Sequence, residues 1–327
     1  MRADERRLCM YPMKLSPSIA ETVWGGTRLI EEYGMVTDKK NAAEAWVLSC
    51  HPSGPCKILN GAWTGRTLAE LFSAEPGICG TRLGKRDEFP ILIKFIDARD
   101  DLSVQVHPDD AYTKFIGRGA GKTEAWYILD CDEGAQLVLG FKRELTRHEF
   151  IEAIENDRLT EVVQRVDVKR GDFFFIEAGT LHAICKGVLL AEVQQNSDTT
   201  YRVYDYNRPG LDGKPRELHV LNAIDVTATV PYRTQSGERK REHCGGAERE
   251  TLTVCPFFTV NTLTMSGSCA FYAGEESFIS LLVLEGEGAL NAEGMTLSLH
   301  KGESVFIPAG CGDIELTGNM TLLETRL

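Results

Sequence analysis

Short runs of β-branched and aromatic residues, separated at close intervals by glycine and proline, recur along most of this chain. Its 327 residues include 31 Gly and 12 Pro, the residues that most often form turns. Val, Ile, Phe, Tyr and Trp fit a pleated, half-buried surface, so the runs between the turns predict strands. These runs are FPILIKFIDA, EAWYIL, QLVLGF, DFFFIEAG, VLLAEVQQ, FTVNTLTM, SFISLLVLEG and SVFIPAG. The pattern predicts a mainly β protein.

Helix signals are fewer and shorter. Thr146 precedes RHEFIEAIENDRL, and Glu149, three positions after Thr146, completes a capping box. Thr67 and Glu70 form the same kind of capping box before a shorter predicted helix, and PDDAYTKFIG is a third candidate helix. We therefore expect short helical insertions in a β framework.

Two segments of the chain match each other in register. RGDFFFIEAGTLHAI from Arg170 and KGESVFIPAGCGDI from Lys301 share a basic residue, Gly and an acidic residue, then Phe-Ile and Ala-Gly at the same spacing. Each predicts a turn, a strand and a second glycine turn, the kind of hairpin from which double-sheet jelly rolls are built. The repeat predicts two related β-barrels. His182 of the first copy aligns with Asp313 of the second, so only the first copy has a metal-capable histidine at this position.

The segment between these copies predicts a domain boundary. Residues 233–250, RTQSGERKREHCGGAERE, are charged, contain glycine and show no hydrophobic period. We predict an exposed linker at 233–250, a first domain over 1–232 with a helical insertion, and a second, degenerate barrel over 251–327.

Composition restricts the partners and the compartment. The net charge of −12 with no basic stripe argues against a nucleic-acid binder, although a small anionic substrate could still meet a local group of Lys and Arg. No apolar run approaches the roughly 20 residues of a membrane span, and the first residues lack the apolar core of a signal peptide. Ten single cysteines without a CxxC pair suggest free thiols in a reducing compartment. We expect a cytoplasmic protein without a membrane partner.

Metal-capable side chains occur at several strands. Gln105 and His107 in SVQVHPDD lie two positions apart and therefore project from one strand face, although such a pair alone could be a solvent-exposed polar face. Glu124 begins an aromatic strand, where an unpaired carboxylate would be costly to bury, unless it pairs with Lys122. His182 follows the glycine turn and could instead be a hydrogen-bonded turn histidine. Together these N and O donors suit a divalent cation such as zinc, with a position left open for water or substrate.

The motifs VQVHPDD, GKTEAWYIL, GTLHAI and VQQNSDTTYRVYDYNR resemble those of the class I mannose-6-phosphate isomerases, the zinc-dependent cupins. The resemblance covers nearly the whole chain from ETVWGGTRL, and GKPRELHV is typical of the short bacterial members. It implies two cupin-type jelly-roll barrels and interconversion of mannose 6-phosphate and fructose 6-phosphate through an enediol. It also implies one zinc ion per chain, with the ligands Gln105, His107, Glu124 and His182, an active-site arginine at Arg202, and a family counterpart for Asp198.

The chain departs from that pattern in two informative places. Many members have Lys-Pro-Glu where Lys122-Thr123-Glu124 stands, but the ligand is retained. Only 58 positions separate Glu124 from His182, too few for the large helical domain of the longer relatives.

Several side chains could serve the chemistry that the resemblance implies. Arg202 would stabilise developing negative charge because a guanidinium stays protonated, although a salt bridge to Asp198 or Asp205 is the alternative. Lys122 points the same way as Glu124 and could carry the proton. Asp198 could orient Lys122 or act through water.

Two further residues are candidates for substrate binding. Lys94 is a polar residue in the apolar run ILIKFIDA, which suggests recognition of the phosphate or a sugar hydroxyl, or else snorkelling to the barrel rim. Trp24 precedes Gly25-Gly26 and could form an apolar wall of the pocket, or simply pack in the core.

Two other functions are compatible with a metal-bearing barrel. A non-catalytic cupin could bind a sugar without turnover, but it would need fewer of these residues. An iron or manganese oxygenase could use the same barrel, although the glutamine ligand makes it a poorer fit. The sequence leaves the oligomeric state open between a monomer and a weak dimer.

Overall fold

A computed structural model describes residues 11–84, 86–234 and 239–327. Its strands are β1 (Met13–Ser16), β2 (Ser18–Ala20), β3 (Glu44–Leu48), β4 (Lys57–Ile58), β5 (Ile91–Ala98), β6 (Val104–Val106), β7 (Glu124–Cys131), β8 (Gln136–Phe141), β9 (Val163–Asp167), β10 (Phe173–Ile176), β11 (His182–Ile184), β12 (Val188–Gln195), β13 (Tyr201–Tyr204), β14 (Arg241–Cys244), β15 (Ala247–Val254), β16 (Thr259–Ala273), β17 (Ile279–Ala292), β18 (Met295–His300), β19 (Ser304–Ile307) and β20 (Gly312–Arg326). The α-helices are α1 (Arg28–Glu31), α2 (Leu68–Ala74), α3 (Asp110–Phe115), α4 (Arg147–Glu155), α5 (Leu159–Val162) and α6 (Val220–Val226). The predictions of a mainly β protein and of short helices are confirmed.

Two antiparallel sheets form the first jelly roll. One has six strands in the order β10-β7-β12-β5-β3-β2, and the other has five in the order β13-β6-β11-β8-β9. A core lies between them, with Trp126 and Leu190 from the six-stranded sheet and Leu137 and Ile184 from the five-stranded sheet. The inner faces of both sheets therefore look into one interior.

Helices cover the outer face of the five-stranded sheet. Phe150 of α4 and Ala223 of α6 pack with Val106 and Phe141 of that sheet. Thr146 caps α4: its side chain accepts from the Glu149 N–H, while the Glu149 carboxylate accepts from the Thr146 N–H. The same reciprocal box begins α2 at Thr67. Both capping predictions are confirmed.

The remaining strands form a nine-stranded sheet, ordered β14-β15-β16-β20-β17-β19-β1-β4, with β18 paired to β17. Glycines adjoin one another where its three longest strands meet, because Gly318 pairs with both Gly267 and Gly288. Gly318 has a φ of +134°, and a Cβ there would lie 2.5 Å from the Glu287 carbonyl oxygen. This close approach lets the strands bend. Side chains from both halves of the long strands consequently share one core, including Leu263, Leu281 and Leu316.

The two parts of the molecule pack through the outer face of the six-stranded sheet. Phe95 and Val193 on that face share a core with Phe278 and Phe306 of the nine-stranded sheet. β1, near the beginning of the chain, also pairs with β19 and so extends the nine-stranded sheet. The six-stranded sheet is therefore covered on both faces.

The internal repeat has a structural counterpart. β10 and β19 are equivalent four-residue strands, each preceded by a glycine with positive φ, Gly171 at +86° and Gly302 at +87°. A second positive-φ glycine follows each strand, Gly179 and Gly310. The turn–strand–turn prediction is confirmed.

The linker prediction is wrong over residues 241–250. These residues form β14 and the first half of β15, which pair as a hairpin and join β16. The hairpin is one edge of the sheet, so most of its side chains are polar and exposed or partly exposed and show no apolar period, while backbone pairing still makes it regular. Residues 235–238 of the predicted linker lie outside the described part of the chain. The domain limits 1–232 and 251–327 stay a prediction. Among the described residues, no helix is long and apolar enough to cross a membrane.

Candidate metal centre

Three strand ends meet inside the first jelly roll. β6 ends one residue before His107, β7 begins at Glu124, and β11 begins at His182. The Nε2 atoms of the two histidines lie 3.6 Å and 3.3 Å from the Glu124 carboxylate oxygens. Potential ligand atoms of all three residues lie within 4.8 Å of one another, and all three side chains are buried. The cluster can therefore hold a metal ion.

Backbone carbonyls orient both histidines. His107 Nδ1 lies 2.8 Å from the Thr199 carbonyl oxygen, and His182 Nδ1 lies 2.8 Å from the Thr180 carbonyl oxygen. A carbonyl only accepts, so each Nδ1 carries the hydrogen and each Nε2 presents a lone pair to the cluster. This is the tautomer and the outer contact that metal-binding histidines commonly have.

The Glu124 carboxylate also fits a metal. It is fully buried, and neither oxygen accepts a well-directed hydrogen bond from the described residues. Lys122 Nζ lies 2.7 Å from Oε2 and 3.0 Å from His107 Nε2, so one cation already approaches the cluster. Buried carboxylates normally have hydrogen-bond partners, and a cation placed between the two Nε2 atoms and Glu124 would satisfy these oxygens.

Strand register brings Gln105 to the same cluster. Gln105 pairs with His182 across one side of β6 and with Arg202 across the other, so these three side chains form a row on one face of the five-stranded sheet. The Gln105 amide nitrogen lies 3.5 Å from His182 Nε2. A half-turn of the amide exchanges its oxygen and nitrogen, which would turn the oxygen toward the cluster. Gln105 is thus in position to be a fourth ligand.

A second polar row faces the cluster from the six-stranded sheet, formed in order by Trp46, Lys94, Glu192 and Trp126. Lys94 Nζ lies 3.4 Å from carboxylate oxygens of both Glu44 and Glu192. The Trp126 indole N–H donates to Glu192 at 2.9 Å. Lys94 is therefore buried between two acids, and the snorkelling alternative is wrong.

Electrostatics in this interior favour neutral histidines. Burial and the positive charge of Lys122 lower the pKa of His182 to about 4 and keep the pKa of His107 well below its usual range. Burial and the Glu192 charge raise the pKa of Glu124. Burial also opposes ionisation of Glu192, but Lys122 and Lys94 outweigh it and lower the pKa of Glu192. Both Nε2 atoms are consequently available to bind a metal at neutral pH.

Comparison with known proteins identifies the family. The catalytic-domain model of type I phosphomannose isomerase matches residues 13–135, and the cupin-domain model of mannose-6-phosphate isomerase matches residues 248–326. The mannose-6-phosphate isomerase ManA of Bacillus subtilis is 38% identical over 97% of this chain and 99% of its own. The chain belongs to the mannose-6-phosphate isomerase family. The Streptococcus mutans mannose-6-phosphate isomerase is 34% identical over 96% of this chain and 98% of its own.

Solved structures of the family share the fold. The crystal structure of the mannose 6-phosphate isomerase from Bacillus subtilis has a TM-score of 0.91 at 36% identity and covers 97% of this chain and 99% of its own. A mannose 6-phosphate isomerase bound with zinc and yttrium has a TM-score of 0.72 and covers 96% of this chain and 98% of its own; at 19% identity it shows the fold alone. The prediction of a cupin-type, mainly β fold is confirmed.

The structure places one of the other predicted residues beside the cluster and two elsewhere. Arg202 lies in the row beside Gln105; its Nε is 3.3 Å from Ser103 Oγ and its Nη1 donates to the Glu217 carbonyl at 2.9 Å. The exposed Asp198 carboxylate contacts Ser53 Oγ at 3.1 Å and His51 at 3.7 Å, outside the cluster. Trp24 is buried in the core between the two sheets. The roles predicted for these three residues stay predictions.

Sequence reasoning missed Glu44 and Glu192, although each left a signal. Glu192 is the acid within the apolar run VLLAEVQQ, and Glu44 directly precedes the apolar AWVL. A lone carboxylate in a buried strand needs a cation nearby, and the buried Lys94 in ILIKFIDA needs an anion for the same reason. Only the strand order shows that β3, β5 and β12 are neighbours, which brings these charges together.

Proposed function

We propose that this chain is a zinc-dependent isomerase that interconverts mannose 6-phosphate and fructose 6-phosphate through an enediol. The observation that supports this most strongly is the buried His107–Glu124–His182 cluster, found in a chain of this family. Two imidazoles with carboxylate and amide oxygens suit zinc. One zinc ion per chain would be held by Gln105, His107, Glu124 and His182. When bound, zinc would supply a Lewis acid that polarises substrate oxygens.

The chain's own residues would divide the remaining work. Arg202, in the row beside Gln105, would hold its fixed positive charge where negative charge develops on the substrate oxygens. Lys122, in contact with Glu124, is our candidate for carrying the proton between C1 and C2. Asp198, which lies outside the cluster, would act through water rather than by orienting Lys122 directly. Lys94 would bind a sugar hydroxyl or the phosphate, and Trp24 would support the pocket wall.

Position supports the assignment of Lys122 over Lys94 as the proton carrier. Lys94 lies 3.4 Å from each of two carboxylates, and although burial opposes its charge, Glu44 and Glu192 raise its pKa. Lys122 also lies near two carboxylates, 2.7 Å from Glu124 and 3.9 Å from Glu192, but it contacts the predicted ligand residues Glu124 and His107 directly, which places its amino group at the cluster.

A coupled assay of fructose 6-phosphate formation from mannose 6-phosphate tests the function. We expect activity that disappears after chelation and returns when zinc is added. Arg202→Lys should lower kcat by about 100-fold, since a lysine keeps the charge but loses the fixed fork of donors. Arg158→Lys, on the exposed surface, is the matched control. A folded, zinc-loaded sample without activity would contradict the proposal and favour a metal-bearing sugar-binding protein.

We further propose that the enzyme acts in the cytoplasm, on a small sugar phosphate and without a nucleic-acid or membrane partner. The free thiols of the nine cysteines in the described residues support a reducing compartment. The oligomeric state, monomer or weak dimer, is a separate question that sedimentation velocity would answer.

A further inference from the structure

A pair of thiols lies in the nine-stranded sheet, outside the metal centre. Cys244 ends β14, and Cys269 lies in β16. Their sulfur atoms are 2.7 Å apart, although both are free thiols. Cys269 is the donor in this contact, while the Cys244 thiol donates to the Ala270 carbonyl at 3.1 Å. The Cys244–Cys269 contact brings together two thiols that an oxidant could join in a disulfide.

The backbone holds these two sulfur atoms together. Gly245 and Gly246 form the turn of the β14–β15 hairpin, and Gly245 has a φ of +59°. The Gly246 N–H donates to the Ser268 carbonyl at 2.6 Å, and the Ser266 N–H donates to the Gly246 carbonyl at 3.0 Å. A Cβ on Gly245 would lie 2.5 Å from the Ser268 carbonyl oxygen, so only a glycine turn packs this closely on β16. The turn thereby fixes Cys244 against Cys269.

The two thiols differ in their access to solvent. Cys269 is 1% exposed and belongs to the core of the nine-stranded sheet. Burial, with a further contribution from Cys244, raises the pKa of Cys269 to about 12. Cys244 is half-buried at the end of an edge strand. An oxidant dissolved in water therefore reaches Cys244 first, and Cys269 is the neighbour that can resolve the product.

We propose that Cys244 and Cys269 form a reversible disulfide when the protein meets a peroxide. The Cys244 sulfur attacks the peroxide, whose O–O bond breaks; this gives a sulfenic acid and, from hydrogen peroxide, one water. The Cys269 sulfur then attacks the Cys244 sulfur and releases a second water as the S–S bond forms. The two thiols lose two electrons and two protons in total, and the peroxide is reduced. A dithiol such as dithiothreitol reverses the modification.

The disulfide would fasten the free edge of the sheet. Within the described ranges β14 pairs only with β15, so the β14–β15 hairpin can fray or offer its unpaired backbone groups to another chain. A bond from Cys244 to Cys269 closes the chain across the β15–β16 connection and restricts the unfolded state. Neither cysteine contacts a residue of the metal centre, so the modification changes stability rather than turnover. The inference does not depend on the proposed function.

Peptide mapping of the zinc-loaded full chain tests the proposal directly. The protein is treated with hydrogen peroxide, remaining thiols are blocked with N-ethylmaleimide, and the digest is analysed without reduction. We expect a crosslinked peptide that contains Cys244 and Cys269, lacks two hydrogens and disappears after dithiothreitol. The melting temperature of the oxidised protein should exceed that of the reduced protein.

Two variants separate this pair from general thiol oxidation. Cys244→Ser should give no such crosslink and no oxidation-dependent rise in melting temperature. Cys131→Ser removes a thiol elsewhere in the fold and should retain both. The proposal is overturned if folded wild-type protein yields Cys244 and Cys269 as blocked thiols or higher oxides after peroxide treatment. An oxidised protein that melts no higher than the reduced one would overturn the stabilising role.

Discussion

At the scale of single residues, Glu124 determines whether the centre can hold a metal. Its carboxylate is the only anionic member of the His–Glu–His cluster found in the described residues. Glu124→Gln keeps the shape but removes the charge. We expect zinc affinity to fall by more than about 100-fold, since even changes to residues that merely orient a ligand cost about 10- to 100-fold. Metal analysis after equilibrium dialysis measures this.

The matched control for this variant is Glu155→Gln, which removes an exposed carboxylate at the end of α4. Its zinc content should equal that of the wild type. If Glu124→Gln retained wild-type zinc affinity in a protein with an unchanged circular dichroism spectrum, the ligand assignment would be wrong.

Asp205 is a second residue whose charge has a measurable consequence. Its buried carboxylate accepts from Arg208 at 2.9 Å and from Arg216 at 2.7 Å. Burial opposes ionisation, but the two arginines outweigh it and lower the pKa of Asp205. Asp205→Asn leaves two partly buried cations without their anion. We expect it to reduce the free energy of unfolding at pH 7 by about 3 kcal/mol, measured by urea denaturation.

The sign of the pH dependence follows from the lowered pKa of Asp205. A carboxyl with a depressed pKa stabilises the folded state above its unfolded pKa, and that contribution is lost as the pH falls through the folded pKa. The difference between wild type and Asp205→Asn should therefore be constant from pH 7 to about 4 and shrink below about pH 4. Asp225→Asn breaks an exposed pair with Arg147 and should cost less than about 1 kcal/mol. A difference that grows on acidification would refute this account.

At the scale of elements, the capping box of α4 is the clearest example of a local interaction that stabilises a helix. The Thr146 side chain satisfies the Glu149 N–H, a helix-end donor that has no partner within the helix. Thr146→Ala should lower the free energy of unfolding by about 1 kcal/mol. The isomerase activity should not change, because α4 lies on the outer face of the five-stranded sheet.

Thr160→Ala provides the comparison, since Thr160 is an exposed residue within α5 and caps no helix. Its stability should match or slightly exceed that of the wild type, as alanine is the better helix former. Equal losses in the two variants would show that the Thr146 cap has no specific effect. Chemical denaturation of both proteins under identical conditions makes the comparison.

At the scale of the whole molecule, the six-stranded sheet depends on the second part of the chain. Phe95, on its outer face, shares a core with Phe278 and Phe306 of the nine-stranded sheet. A chain that ends at residue 232 would expose this face and remove β19, one of the two strands that pair with β1. We expect this truncated chain to aggregate or to bind a hydrophobic dye strongly.

The soluble fraction and the isomerase activity of the truncated chain measure the effect. The full-length chain, expressed and purified in parallel, is the control. A soluble, fully active protein of residues 1–232 would show that the nine-stranded sheet is not needed to cover the first jelly roll. It would also show that this packing does not explain the presence of residues 233–327.

Sequence alone predicted the features that depend on local chemistry. The strand runs, the capping boxes at Thr67 and Thr146 and the repeated glycine turns were recoverable because backbone propensities and hydrogen bonds act over a few residues. The resemblance pointed to Gln105, His107, Glu124 and His182, and the structure brings these four side chains together.

Only the tertiary structure decided which distant residues meet. The β14–β15 hairpin looked like a linker because its regularity comes from pairing with β16, which solvated side chains do not reveal. The ion pairs that Lys94 forms with Glu44 and Glu192 depend on the order of three strands that are far apart in the chain. A linear pattern specifies which face a side chain occupies, whereas strand order and register specify its partner. The metal centre, the buried charge network and the Cys244–Cys269 contact all depend on those partners.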